Sequence, residues 1–339
     1  MSDQHASWRV RSVALAKRIY GSPRVRVGVL MVLVVIAVVS LADQWDHVHR
    51  DLRRLSVADL AVAAIVGALP VLAGGMSWRA LLSALGETLP PRTALTAFAI
   101  GQMGKYMPGS VWPVLMQGEL VKREGVRRDR ALPASVLALV LSLAGSLLVS
   151  TVAFGISGDV AAPLMALLVV GALLVLVLLH PPVLTWAVER VLRTLKRPPL
   201  AAPLSRSALL RALAWSCFGS LALGVHAWLL ARALGGHHGA PVARSIGGFS
   251  LAWLAGFVVP LAPAGGGVRE LVLYGTFAPV LGHHAAYALA AVSRLVLTFV
   301  DLVASGLAAV LRPRPGDDGQ RHRPSPSPGG GPMAAPGAL

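Results

Sequence analysis

Two apolar stretches of this chain, each long enough to enter a bilayer, are broken near the middle by Pro and Gly and carry charge beside the break. The first, AFAIGQMGKYMPGSVWPVLMQGELVKREG, holds Lys105, Pro108, Gly109 and Glu119. The second, GGFSLAWLAGFVVPLAPAGGGVRELVLYG, holds Pro260, Pro263, Gly265, Gly266, Gly267, Arg269 and Glu270. A broken helix at membrane depth leaves backbone groups unpaired, which hydrocarbon penalises by several kcal/mol per group. Such breaks persist where they are buried in protein or line a polar cavity. A matched pair, one in each half of a chain, points to a transporter-type site between two repeats.

Hydrophobic residues fill 55% of the 339 positions and charged ones only 14%, against about a quarter charged in a soluble domain. The expected class is therefore an all-α polytopic membrane protein, with about six full transmembrane helices plus two opposed re-entrant hairpins, seven or eight apolar segments in all. The net charge of +16 falls in short runs between apolar segments and forms no aromatic-interleaved basic face. It is read as positive-inside topology and attraction to anionic headgroups, and nucleic acid is not an expected partner. One cysteine, Cys217, excludes an intramolecular disulfide and a cysteine-based metal site.

The uninterrupted apolar runs are Val27 to Ala42, Val57 to Ala73, Ala131 to Ile156, Val160 to His180, Leu209 to Leu234 and Ala285 to Leu311. Residues 1–26 form a basic N-terminus and 27–56 a first transmembrane helix with its loop; a cleaved signal peptide is the alternative. Residues 57–311 form the membrane module, and 312–339 have too few large apolar side chains to bury a core and are expected to be a disordered tail. The basic stretch from Pro181 to Arg206, with Trp186, Arg190, Arg193, Lys196 and Arg197, fits either a surface helix or a solvated linker. The Arg and Lys clusters put both termini in the cytoplasm, with the loop that holds Arg79 and Arg92 and the run KREGVRRDR on that side; the Ser157–Asp159 turn and GGHHGAPVAR lie opposite. Parity then makes each broken segment a hairpin, one dipping from each face. SWRALLSALG around Trp78 resembles HAWLLARALG around Trp228, and the distances from break to next helix are nearly equal. Residues 57–156 and 209–311 are thus expected to be inverted repeats.

Lys105 is one of four lysines and the one inside an apolar segment. It either snorkels to the interface or contacts an anion. Arg269 and Glu270 follow three glycines where a helix would start; free N–H groups and a guanidinium fork suit phosphate there, while Glu270 also suits the helix dipole. Glu119 occupies the corresponding place after the first break, with Gln102 and Gln117 as further polar candidates. Arg294 and Asp301 lie two turns apart on one face of the last helix. Each needs a partner elsewhere: Glu119 or Glu270 for Arg294, Lys105 or Arg269 for Asp301. They serve a structural charge network or a transport relay. No catalytic motif, metal-ligand spacing or cofactor motif is present, and His237, His238, His283 and His284 are expected in outer loops.

GKYMPGSVW with GELVKREGV in the first half, and PAGGGVRE with SRLVLTFVD in the second, make the chain resemble the lysylphosphatidylglycerol synthase transmembrane family over about Val57 to Leu311. The resemblance implies a flippase-like module that translocates lipids with modified phosphate headgroups. In that family aminoacyl transfer belongs to a separate soluble C-terminal domain. Here a tail stands in its place, so lipid aminoacylation is not expected. The implied function is movement of a phospholipid or lipid-linked anionic headgroup across the cytoplasmic membrane, with Lys105, Arg269, Glu119, Glu270 and Gln102 as headgroup contacts. The alternative is a non-transporting subunit that scaffolds a lipid-modifying synthase or glycosyltransferase. A third reading, a membrane transferase, would have to rely on Glu119, Glu270 and Asp301. Expected partners are anionic lipids or lipid-linked phosphates and a lipid-modifying enzyme; no cofactor or metal is expected.

Overall fold

The computed structural model describes residues 55–106, 112–122, 124–194, 203–235, 241–258 and 267–311. The N-terminus, the first apolar run, the tail, His237, His238 and the breaks Pro108, Gly109, Pro263, Gly265 and Gly266 lie outside the described residues. Among those described, all regular structure is helical: α1 Val57–Ala84, α2 Pro91–Gly101 continued by a 3-10 segment Gln102–Tyr106, α3 Trp112–Lys122, α4 Arg128–Ser157, α5 Ala162–Leu178, α6 Pro181–Thr194, α7 Arg206–Gly235, α8 Val242–Val258, α9 Val268–Leu281 and α10 His283–Leu311.

Four of these helices, α1, α4, α7 and α10, are long and apolar enough to cross a bilayer, and α5 with α6 makes a fifth candidate if the pair, bent by 75°, is taken as one span. Large apolar side chains stand exposed along α5 (Leu167, Val170, Leu173, Leu174, Val177) and on the outer face of α10 (Leu295, Phe299, Leu302). Such a belt is what lipid, not water, solvates. The chain is an all-α, multi-pass membrane protein.

α1 is longer than the apolar run suggested, because Gly74 and Gly75 do not end it. It starts where Ser56 Oγ accepts from the Asp59 N–H at 3.1 Å while Asp59 accepts from the Ser56 N–H at 3.1 Å, a reciprocal cap. Its 28 residues span about 42 Å at 1.5 Å per residue. Arg79, expected in a loop, sits in the helix and donates through Nε to the Leu89 carbonyl at 2.8 Å. α6 carries the first part of the basic stretch, Pro181–Thr194, as a helix, with Leu184 and Leu192 buried and Trp186 63% exposed; Lys196 and Arg197 lie outside the described residues. His283 and His284, expected in a loop, fall in the first turn of α10, where the His283 ring meets the Tyr274 hydroxyl at 2.6 Å.

The same order of elements recurs: long helix, short helix, break, short helix, long helix, in α1–α4 and in α7–α10. The two leading helices pack most extensively. His226 Nδ1 meets the Ala63 carbonyl at 2.9 Å, Gly219 lies against Pro70, and Ser77 Oγ donates to the Ala212 carbonyl at 3.0 Å. Each step of seven up α1 (63, 70, 77) is matched by a step of seven down α7 (226, 219, 212), so the helices run antiparallel and meet centrally at Pro70 and Gly219. Small side chains at this seam, Gly219, Ala73, Ser77 and Ser216, let the backbones approach, which is how helices associate where lipid removes the hydrophobic drive. One core, around Trp78, Leu81, Leu82 and Leu141, joins the end of α1 to α4. The other, around Leu230, Phe249, Leu273 and Leu289, joins the end of α7 to α8, α9 and α10.

α2 and α3 form a helical hairpin. A Cβ on Gly101 would lie 2.5 Å from Gln117 Cγ, and one on Gly104 would lie 2.6 Å from the Pro113 nitrogen. The two arms of the hairpin therefore run back along each other, and only a residue without a side chain permits the approach at 104. At 11 residues each, α2 and α3 are far below the roughly 20 needed to cross.

Candidate functional site

Between the two cores lies a cavity of about 250 Å³. Every described element except α5 and α6 contributes to its wall. The first hairpin supplies Gln102, Lys105, Tyr106 and Gln117; α9 supplies Arg269; α10 supplies Arg294, Thr298 and Asp301. α10 buries a stripe at every fourth residue, Ser293, Leu297, Asp301 and Ser305, all less than 10% exposed, of which Leu297 and Asp301 line the cavity. The stripe's ends are tied down by Ser293 Oγ on His226 Nε2 at 3.0 Å and by Ser305 Oγ donating to the Ala99 carbonyl at 2.8 Å.

The charges on the two broken segments meet those of α10. Lys105 Nζ lies 2.7 Å from Asp301 Oδ2. The Tyr106 hydroxyl donates to the same oxygen at 2.5 Å. On the other side Arg294 Nη1 lies 2.5 Å from Glu270 Oε1, while Glu270 Oε2 accepts from the Gly267 N–H at 2.7 Å. Gly267 has φ +85, a conformation that costs glycine little and that aims its N–H at the first turn of α9. Glu270 is thus both the cap of α9 and the counter-ion of Arg294. Both pairings are among the alternatives open from the sequence, and Lys105 is paired instead of snorkelling away.

Arg269 differs from the other cations. It is 7% exposed, and its Nε and Nη2 have no hydrogen-bond partner among the described residues. Its guanidinium carbon stands 5.3 Å over the Phe249 ring, a contact that favours a cation but accepts no conventional hydrogen bond.

Glu119 departs from expectation. It is exposed on α3 and does not line the cavity. Gln117, 4% exposed, faces it instead; two residues on, a helix has turned by about 200°, which carries Glu119 to the opposite side. Glu270 reaches the cavity only through Arg294. Tyr106 was not anticipated; its sequence signal was a phenol beside the lysine of an apolar segment. Cavity-lining Ser77, Ser216 and Ser220 were also missed. Ser146 Oγ and Ser220 Oγ lie 2.8 Å apart across α4 and α7, and Ser77 Oγ and Ser216 Oγ 3.3 Å apart across α1 and α7. Among the described residues, no group of three or more His, Cys, Asp or Glu is placed to hold a metal.

The family described as Lysylphosphatidylglycerol synthase TM region matches residues 25–305 of this sequence. The chain belongs to that family. The match begins ahead of Val57 and takes in the apolar run Val27 to Ala42, so the family region includes the first expected span as well as both broken segments. A comparison with curated proteins found no match. Within the family region fall the charges that line the cavity, Lys105, Arg269, Arg294 and Asp301, and Glu270, the counter-ion of Arg294.

Outside the cavity, one ion pair ties loop to helix. Arg244, in the first turn of α8, pairs with Asp159 in the turn after α4 and donates from Nη1 to the Thr276 carbonyl at 3.3 Å. Burial works against ionisation of Asp159, but hydrogen bonds from Ser157 and Arg244 outweigh it and hold its carboxyl below the usual carboxylate range.

Proposed function

We propose that this protein is a lipid translocase of the cell membrane that carries an anionic lipid with its phosphate in the central cavity and its tails in the bilayer. The observation that carries this reading is Arg269: a guanidinium buried in the cavity wall with two nitrogens unpartnered among the described residues. Phosphate oxygens supply the acceptors that the fork lacks. Lys105 is a second contact, released from Asp301 as the phosphate enters, and Gln102 a third.

Both termini are cytoplasmic in this reading. Two contacts fit the grouping of segments that this reading uses: Arg92 Nη2 donates to the Leu311 carbonyl at 3.0 Å, between two segments assigned to one side, and Arg244 pairs with Asp159, between two assigned to the other. Trp228 lies 150 residues after Trp78. With that offset the antiparallel pairing of α1 and α7 maps onto itself to within one residue about the Pro70–Gly219 crossing, which supports two inverted repeats around a central site. A lipid-modifying enzyme that supplies the substrate is a natural partner. A scaffold without transport would leave the buried Arg269 charge without a role. Native mass spectrometry of the protein released from membranes tests the reading. The parent should retain an anionic lipid that Arg269→Ala loses; a parent carrying no lipid, or both proteins carrying the same lipids, counts against it.

A further inference from the structure

We infer that the cavity is matched to a phosphodiester headgroup with one negative charge and an uncharged substituent. This deepens the translocase reading and rests on it. Three cations, Lys105, Arg269 and Arg294, face two carboxylates, Asp301 and Glu270. Lys105 is matched by Asp301 at 2.7 Å and Arg294 by Glu270 at 2.5 Å. Among the described residues of the cavity, one positive charge is left, and it belongs to Arg269. The adjoining segments 107–111 and 259–266 contain no ionisable side chain, so neither can neutralise it.

A buried charge without a counter-ion costs several kcal/mol, on the order of the effective desolvation penalty per ion. A phosphodiester brings one negative charge and two non-bridging oxygens that fit the guanidinium fork. A phosphate monoester brings about −1.5 to −2 charges at pH 7, and the surplus falls beside Asp301. A zwitterionic headgroup offers Arg269 the same phosphate but adds an ammonium, and that charge is left uncompensated because Asp301 and Glu270 already hold cations. Gln102, Gln117, Ser142 and Ser220 line the rest of the cavity; their amides and hydroxyls suit a neutral polar substituent.

The test is calorimetric titration of the purified full chain, in uncharged detergent, with short-chain diacyl lipids that differ only in headgroup: phosphatidylglycerol, phosphatidylethanolamine and phosphatidic acid. Phosphatidylglycerol should bind at least about tenfold more tightly than either, the scale of one uncompensated charge in a partly screened site. Two variants should move the preference in opposite directions. Arg269→Gln removes the surplus charge and should erase the advantage over phosphatidylethanolamine. Asp301→Asn adds a surplus charge and should shift preference toward phosphatidic acid by about tenfold. If Arg269→Gln does not fold, the Asp301→Asn shift and the parent's ranking still decide. Deacylated glycerophosphoglycerol separates a lipid from a soluble phosphodiester: it should bind at least about tenfold more weakly than the lipid, and equal binding overturns the lipid assignment. Equal binding of the three lipids, or phosphatidic acid bound best by the parent, overturns the charge matching while leaving lipid translocation standing. No binding of any lipid overturns both.

Discussion

Asp301 holds the first broken segment to α10, and the strength of that hold follows from its surroundings. Its Oδ2 receives Lys105 at 2.7 Å and the Tyr106 hydroxyl at 2.5 Å, and the residue is 5% exposed. Replacement by Asn keeps the shape and an acceptor for Tyr106 but takes the counter-ion from Lys105. Breaking a fully buried pair costs about 3–5 kcal/mol. The Lys105 side chain is 22% exposed, and water screening there brings the expected loss to about 2–3 kcal/mol. Lys105→Gln should cost a similar amount, because Asp301 is then the stranded charge. The double variant strands neither, so the two losses should fail to add, with a coupling of about 1.5–3 kcal/mol. Equilibrium unfolding of the four proteins in mixed detergent–SDS micelles, at one salt concentration, measures it. Losses that add within about 0.5 kcal/mol would mean that the pair is solvated and holds nothing.

A Cβ on Gly224 would lie 2.4 Å from the Ile246 Cα, backbone that cannot yield, so Gly224→Ala should destabilise the α7–α8 contact by roughly 1–3 kcal/mol in the same unfolding assay. The Asp159 carboxyl is held below its unfolded value, so its contribution is complete above about pH 4 and is lost as pH falls through the depressed value. Stability should therefore drop more steeply below about pH 4 in the parent than in Asp159→Asn; parallel curves there would refute the staple. In a Cys217→Ser background, a cysteine replacing Ala161 should react with an impermeant thiol reagent in intact cells, and one replacing Arg127, at the other end of α4, only after lysis. Reaction of both in intact cells would overturn the topology.

The long helices were legible because a run of about 20 apolar residues has few other fates, and α4, α7 and α10 end within a few residues of the runs that announced them. α1 was shortened in the reading because Gly74, Gly75 and Arg79 look like a loop; they are tolerated in a helix whose neighbours pack closely there. The broken segments were legible from Pro and Gly, and the charge partners from a spacing that forced Arg294 and Asp301 onto one face without letting them touch. Which carboxylate served Arg294 was not legible, since the choice between Glu119 and Glu270 depends on how α3 is rotated. The serine contacts were invisible because a serine in an apolar helix can satisfy itself on its own backbone, as Ser216 does on the Ala212 carbonyl at 3.0 Å. The isolation of Arg269 follows from tertiary packing, which no local pattern reveals.

Translocation through the cavity is tested most directly by reconstituting the parent and Arg269→Ala into liposomes that contain a headgroup-labelled anionic lipid, and following the label's accessibility to a membrane-impermeant reductant. The parent should expose inner-leaflet lipid faster than protein-free vesicles do. The variant should fall toward the protein-free rate, with Arg269→Lys recovering part of the difference because one cation returns without the fork. A parent no faster than empty vesicles for phosphodiester and polyprenyl-phosphate lipids alike, or an alanine variant as fast as the parent, would contradict the account.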